Sequence, residues 1–226
     1  MDDVIELVRS NIGSFKAFSA YVETFFREDA ELSSGVPVVH STKSRIKDLD
    51  HLRGKIERKN AQCAASGEES ITASNVFERI TDISGVRVLH LHQAQAAMIH
   101  KRIIEQVDSG DWYLVEPPKA YTWDPQASEF FKGLGLEPLV KESFYTSLHY
   151  VVRPRVDAKV ACEIQVRTLF EEIWGEVDHS LNYPSPATDL ATKELLKVLA
   201  RLIGSGSQLT DSIYRINAGV APEKAA

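Results

Sequence analysis

Two stretches of the 226-residue chain carry polar side chains at the spacing of a strand face. In Cys162-Glu-Ile-Gln-Val-Arg-Thr168, Glu163, Gln165 and Arg167 fall on one side and Ile164 and Val166 on the other, because successive strand residues alternate sides. In Tyr145 to Arg153, Tyr145, Ser147 and His149 alternate against Leu148 and Tyr150. The turn residues Pro154 to Ala158 between Tyr145–Arg153 and Lys159–Arg167 predict a hairpin. Taken singly, either strand reads as a solvent-facing sheet edge. Paired, they place a carboxylate, an imidazole, a phenol and a guanidinium on one surface, a set able to orient a charged substrate and accept a proton.

Asp82 precedes the strand-like run Gly85 to Leu91, and a carboxylate there could join Glu163 in holding Mg²⁺ through oxygen ligands, which suits a nucleotide substrate. Asp82 and Arg87 are five apart, so one regular strand would turn them to opposite faces; a turn or bulge at Ser84-Gly85 would remove the conflict. From Lys43 to Lys59 seven basic residues stand against three acids, a local +4 inside a protein of net charge −6. Read alone, the segment is a solvated helix face, although a net +4 inside an acidic protein asks for a reason.

The elements that must position these groups follow from periodicity. Ile5, Val8, Ile12, Phe15, Val22 and Phe26 predict an amphipathic helix over roughly the first 28 residues. A strand-like stretch is expected at Val36 to His40, and a helix from 49 to 62 with Asp48 as its N-cap. Ala64 to Ser74 reads as a flexible loop, 93 to 107 as a helix, Trp112 to Glu116 as a strand, and Lys119 to Phe144 as a long loop or short helix. A helix from 168 to 182 is stopped by Pro184 and Pro186. Leu195, Leu199, Leu202, Leu209 and Ile213 mark a last helix weakened by Gly204 and Gly206, and the tail from Gly219 is expected to be disordered. The apolar faces of the two terminal helices are expected to pack on their own domain. The order predicts an α+β fold: a mixed sheet of about five strands flanked by helices.

Apolar content of 43% and charged content of 26% are those of a globular domain. No apolar run reaches the length of a membrane span, the Met-Asp-Asp start is unlike a signal peptide, and Cys63 and Cys162 read as reduced thiols, so a cytoplasmic protein is expected. The acidic net charge argues against a broad nucleic-acid surface.

The pieces Arg45-x-Lys47, Lys55-x-x-Arg58, Asp82-Ile-Ser-Gly-Val-Arg87, Tyr145-Thr-Ser-Leu-His149, Glu163-Ile-Gln-Val-Arg167 and His179-Ser-Leu-Asn-Tyr, in this order, resemble the synthetase domain of RelA/SpoT-type alarmone enzymes, and more narrowly the small single-domain synthetases. The resemblance implies a nucleotidyltransferase-like synthetase domain over 36–184, with an N-terminal helix over 1–35 and a C-terminal helix and tail over 185–226 that can serve oligomerisation. It implies transfer of the β,γ-diphosphate of ATP to the 3′-hydroxyl of an acceptor nucleotide, with Mg²⁺ as cofactor. Arg45 and Arg87 would sandwich the adenine, and Lys47, Lys55 and Arg58 would hold the phosphates. Asp82 and Glu163 would bind the metal, with Glu163 taking the hydroxyl proton. Tyr145 would stack on the acceptor base, while Lys141, His149, Gln165 and Arg167 would position the acceptor's sugar and phosphates.

Departures from the family pattern gather at the acceptor side. Phe144-Tyr145-Thr146-Ser147 replaces the usual Gly-Tyr-Arg-Ser, Glu172 stands where an asparagine associated with the guanine edge is common, and His51 replaces a common serine. Phe144 would resist the backbone angles a glycine permits, so this loop is expected to be shaped differently. GTP or GDP ranks first as acceptor, adenosine nucleotides next and the tRNA 3′ end third; an inactive nucleotide sensor is the reading from a different class.

Overall fold

In the computed structural model, which describes residues 1–141, 143–182, 189–217 and 219, the apolar spacing of the first residues produces α1 (Asp2–Glu28). Its Val8, Phe15, Phe18, Val22 and Phe26 are buried along one side. A single turn, α2 (Ala30–Ser33), capped by the Asp29 side chain, leads to β1 (Ser41–Ile46), not to a strand at Val36 to His40. This edge strand is polar throughout its middle. Its Thr42 and Ser44 hydroxyls donate to Glu23 of α1 at 3.0 and 2.6 Å, so side-chain hydrogen bonds hold a strand that hydropathy does not mark.

Asp48 caps α3 (Leu49–Ser66) by accepting from the backbone N–H of Asp50 and His51 at 2.9 and 3.1 Å. The following segment is anchored rather than free. Ile71 is buried, its N–H donating to Asn60 Oδ1 at 2.7 Å and its carbonyl accepting from Asn60 Nδ2 at 3.3 Å. The chain continues through α4 (Val76–Arg79), β2 (Ser84–His90), α5 (Ala94–Asp108) and β3 (Tyr113–Leu114). The region read as a long loop or short helix holds a short helix, α6 (Pro125–Gly133), between two strands that were not expected, β4 (Lys119–Thr122) and β5 (Pro138–Val140). The hairpin follows as β6 (Ser147–Arg153) and β7 (Cys162–Thr168), then α7 (Leu169–Asn182) and α8 (Leu190–Asn217). The stop at Pro184 and Pro186 and the tail beyond Gly219 lie outside the described residues.

The fold is α+β. The described residues form one mixed sheet of seven strands, rather than about five, in the order β1-β2-β7-β6-β4-β5 with β3 paired to β6. β2 and β7 run parallel, while β6 and β7 are the antiparallel hairpin. Val86, Val88, Leu148, Tyr150, Val152, Ile164 and Val166 form the apolar face, covered by α1 and α5 through Phe18, Val22, Phe26, Ala96, Ile99 and Ile103. A second cluster joins the first half of α1 to α3 and to Val76, Phe77, Ile80 and Ile83. The buried Ile80 and Ile83 bracket Asp82 and fix where its carboxylate emerges.

A reciprocal capping box starts α7: Glu171 N–H donates to Thr168 Oγ1 at 3.2 Å, and Thr168 N–H donates to Glu171 Oε2 at 2.7 Å. It joins β7 rigidly to the helix above the polar face of the sheet. α8 packs on α7 through Leu196, Ala200, Ile203 and Ser207. The stripe Leu195, Leu202, Leu209 and Ile213 stays largely exposed, which corrects the expectation that it packs on the domain. Gly204 and Gly206 do not interrupt the helix. A Cβ on them would stand 3.4 Å from Trp123 and 2.9 Å from Phe170, so both positions are small because aromatic rings press against the helix. Among the described residues no helix is long and apolar enough to cross a membrane.

Candidate active site

Strand register assembles the polar face. Side-by-side pairing sets Arg45 of β1 beside Gly85 of β2, Gly85 beside Glu163 of β7, Arg87 beside Gln165, and Gln165 beside His149 of β6. Paired residues share a face, so Arg45, Arg87, Glu163, Gln165, Arg167 and His149 all project to the side away from the main core. Gly85 lies between Arg45 and Glu163 and leaves the floor open there. β2 begins only at Ser84, after a bend at Ile83, so Asp82 stands outside the strand and its conflict with Arg87 vanishes without a bulge at Ser84-Gly85.

Asp82 gathers the cations of the basic segment. Its Oδ2 accepts from Lys47 Nζ at 2.5 Å and Lys55 Nζ at 2.7 Å, while Oδ1 is buried and accepts no hydrogen bond from the described residues. Burial alone would raise this carboxyl, but the two ammoniums more than offset it and hold it at about 2. Burial likewise lowers Lys47, against the stabilising charge of Asp82. Arg58 stands nearly one turn beyond Lys55 on α3 and is exposed.

Glu163 accepts from Gln165 Nε2 at 2.7 Å and shares a 3.1 Å hydrogen bond with His149 Nδ1; His149 Nε2 lies 2.8 Å from the Tyr145 hydroxyl. Burial raises the Tyr145 phenol, and the imidazole of His149 links that hydroxyl through Nε2 to the Glu163 carboxylate through Nδ1. Burial would raise Glu163, as would the nearby charge of Asp82; the His149 bond opposes both and leaves the carboxyl below its usual value. Among the described residues no three His, Cys, Asp or Glu side chains gather as a metal site. A cation here would have two carboxylates and would complete its shell with substrate oxygens and water, the habit of Mg²⁺. The unsatisfied Asp82 Oδ1 fits that role.

One cleft is lined by Arg45, Arg87, Tyr145, Gln165, Arg167 and Trp174, so the two arginines read from sequence as a pair do face a common space. Asp178 and His179 of α7 line it too, and Glu176 lines the adjoining space with Lys43, Arg45 and Arg87. These α7 residues were not assigned from sequence. The signal that marks Glu176 and His179 is helical: positions 172, 175, 176 and 179 share one face that begins just beyond Arg167. Glu172, expected on the acceptor side, lies between two arginines: its Oε1 accepts from Arg87 at 2.8 Å, and its Oε2 is ion-paired with Arg167 without accepting a hydrogen bond.

At the other end of the floor, Lys141 is exposed and its ammonium lies 4.4 Å from the centre of the Tyr121 ring. Tyr121 meets His149 edge-on at 4.9 Å, and its strand mate Lys119 pairs with His149 in register. Tyr145 sits among Tyr121, Trp174 and the Arg167 guanidinium, the last 5.9 Å from its ring. Phe144 adopts φ of +60°, in the left-handed region that favours glycine, so it takes backbone angles it was expected to resist. Its ring packs on Trp123 at 5.0 Å, which offsets the cost of that conformation.

The family model described as the region found in RelA / SpoT proteins matches residues 44–188. The GTP pyrophosphokinase YwaC of Bacillus subtilis (strain 168) is 25% identical over 152 residues; the match covers 65% of this chain and spans 59% of that protein's length. The crystal structure of small alarmone synthetase 1 from Bacillus subtilis, bound to its product pppGpp, superposes with a TM-score of 0.65 at 22% identity, covering 94% of this chain and 95% of that one. A GTP pyrophosphokinase family protein from Streptococcus pneumoniae gives 0.67 at 19% identity, covering 95% and 98%. Small alarmone synthetase 2 from Bacillus subtilis gives 0.63 at 21%, covering 94% and 98%. The shared fold therefore extends over nearly the whole chain.

Proposed function

The chain belongs to the RelA/SpoT family, and from that premise we propose that it is a pyrophosphokinase moving the β,γ-diphosphate of ATP onto the 3′-hydroxyl of an acceptor nucleotide and releasing AMP. The observation that carries this reading is one sheet face on which Arg45 and Glu163 flank Gly85 and Arg87 follows on the same strand, with Asp82, whose Oδ1 accepts no hydrogen bond from the described residues, just before that strand. Arg45 and Arg87 would take the adenine between them. Lys47 and Lys55, already drawn together by Asp82, and the exposed Arg58 would meet the triphosphate. Asp82 and Glu163 would hold Mg²⁺, which when bound would neutralise charge on the donor phosphates.

Glu163 accepts the proton of the 3′-hydroxyl as the oxygen bonds to the β-phosphorus and the bond to the AMP oxygen breaks. Its lowered pKa keeps it ionised and ready to accept, so catalysis rests on alignment more than on base strength. Tyr145 would stack on the acceptor base, with Lys141, His149, Gln165 and Arg167 around its ribose and phosphates. A guanosine nucleotide is the first acceptor: YwaC is named a GTP pyrophosphokinase, and a structural neighbour carries pppGpp. Adenosine nucleotides and the tRNA 3′ end follow.

ATP labelled in its γ-phosphate, incubated with GTP, GDP, ATP or tRNA, tests both parts. Label transferred to GTP or GDP with AMP release is expected. Label on tRNA alone would overturn the acceptor order, and nucleotide binding without AMP would favour a sensor.

A further inference from the structure

We propose that Glu172 and Glu176 of α7 are positioning residues for the donor nucleotide, holding the edge of Arg87 so that its planar face meets the base, and that Glu172 does not read the acceptor. The inference deepens the pyrophosphokinase reading and rests on it.

A guanidinium that stacks on a base offers its face, so its in-plane N–H groups need acceptors elsewhere. One terminal nitrogen of Arg87, Nη1, donates both to Glu172 Oε1, at 2.8 Å, and to Glu176 Oε1. The two hydrogens on that nitrogen lie in the guanidinium plane, so two carboxylate acceptors define the plane. Arg45, across the same cleft, is exposed and has no ion-pair partner among the described residues, so the pair consists of one fixed and one adjustable arginine. Glu176 also lies 3.9 Å from Lys43 Nζ, tying α7 to the edge strand that carries Arg45.

Glu172 faces a guanidinium with each oxygen: Oε1 accepts from Arg87, while Oε2 is ion-paired with Arg167 without accepting a hydrogen bond. Its second oxygen is paired with the buried Arg167, whose guanidinium approaches the Tyr145 ring. An incoming base would have to break a charge-assisted contact in a poorly hydrated place to donate to it, and would leave an arginine there unpaired. The capping box at Thr168 and Glu171 sets the rotation of α7, so both glutamates are delivered over Arg87 by the same joint. The competing physical reading, a plug of negative charge that ATP must displace, predicts the opposite sign.

The test uses equilibrium binding of the non-hydrolysable analogue AMPCPP, with steady-state kinetics and thermal melting. Glu176→Gln keeps the side-chain shape and a neutral acceptor; Glu176 is half exposed, so folding should persist. AMPCPP should bind roughly three- to tenfold more weakly, the KM for ATP should rise more than kcat falls, and GTP affinity should stay within about twofold. Glu172→Gln should leave the ranking of guanosine and adenosine acceptors unchanged. Tighter or unchanged AMPCPP binding in Glu176→Gln, or a reordered acceptor preference in Glu172→Gln, would overturn the inference. If the unmodified protein binds AMPCPP yet forms no AMP from ATP, the transfer reading fails while the arginine clamp is still decided by binding. If it binds no AMPCPP, both fall.

Discussion

Replacing Asp82 by asparagine removes one charge from the point where the basic segment converges, and its effect on stability can be worked from the site. The carboxyl titrates at 3.8 in a free chain and at about 2 in the fold, a difference that contributes about 2.5 kcal/mol at neutral pH. The side chain is 18% exposed and its partners Lys47 and Lys55 are 15% and 28% exposed, so solvent does not cancel this term. The substituted amide would still offer an oxygen to both ammoniums but no charge. A chain of this size loses roughly 2–4 °C in Tm per kcal/mol, so Asp82→Asn should melt about 5–10 °C lower at pH 7. Because the folded pKa is depressed, the stabilisation is complete above pH 4 and is lost as pH falls towards 2. Melting curves of both proteins from pH 7 to pH 2.5 should therefore show a constant gap that closes below pH 4. A variant as stable as its parent at pH 7, or a gap that does not narrow in acid, would refute the assignment of Asp82 as the counter-ion of both lysines.

Three further outcomes follow from packing. Gly85→Leu should raise the KM for ATP at least tenfold with little change in fold, because a side chain there enters the floor between Arg45 and Glu163, whereas the Cβ alone meets only Glu163 O at 3.4 Å; steady-state kinetics with a thermal melt checks it. Phe144→Gly and Phe144→Ala both lose the Trp123 contact, but only glycine relieves the positive φ, so chemical denaturation should find the glycine variant about 1 kcal/mol more stable than the alanine variant. Leu195, Leu202, Leu209 and Ile216 recur every seven residues on the outside of α8, the repeat of a helix–helix seam, so a second copy of the chain is the proposed occupant. Leu202→Glu with Leu209→Glu should lower the mass seen by light scattering without lowering the unfolding midpoint; an unchanged mass would remove the helical seam from the account.

The legible part of the sequence was the part with alternating chemistry. Ile164 and Val166 against Glu163, Gln165 and Arg167 announced β7, and with β6 the hairpin at the centre of the sheet. β1 escaped because its hydroxyls are satisfied by Glu23 rather than by burial, and β4 and β5 because strands of four and three residues are too short for a period to register. On α8 the conspicuous leucines point outward, while the packing face includes Ala200, Gly204 and Ser207, whose small size serves Trp123 and α7 rather than hydropathy. Lys47 and Lys55 meet on Asp82, and Arg45 and Arg87 line one cleft, through pairing of β1 with β2 and packing of α3. The surroundings of Glu172 were not legible, because its partners Arg87 and Arg167 lie on two different strands and only the register of the sheet brings them under α7.

The central claim is a transfer in which Glu163 takes the proton. The most direct measurement is a mass spectrum of the nucleotides formed from ATP and GTP with Mg²⁺, by the unmodified protein and by Glu163→Gln. The account predicts equal amounts of AMP and of a guanosine nucleotide two phosphates heavier, and a loss of about 10²-fold or more in Glu163→Gln while its melting curve stays cooperative. ADP in place of AMP, or undiminished product from Glu163→Gln, would contradict it.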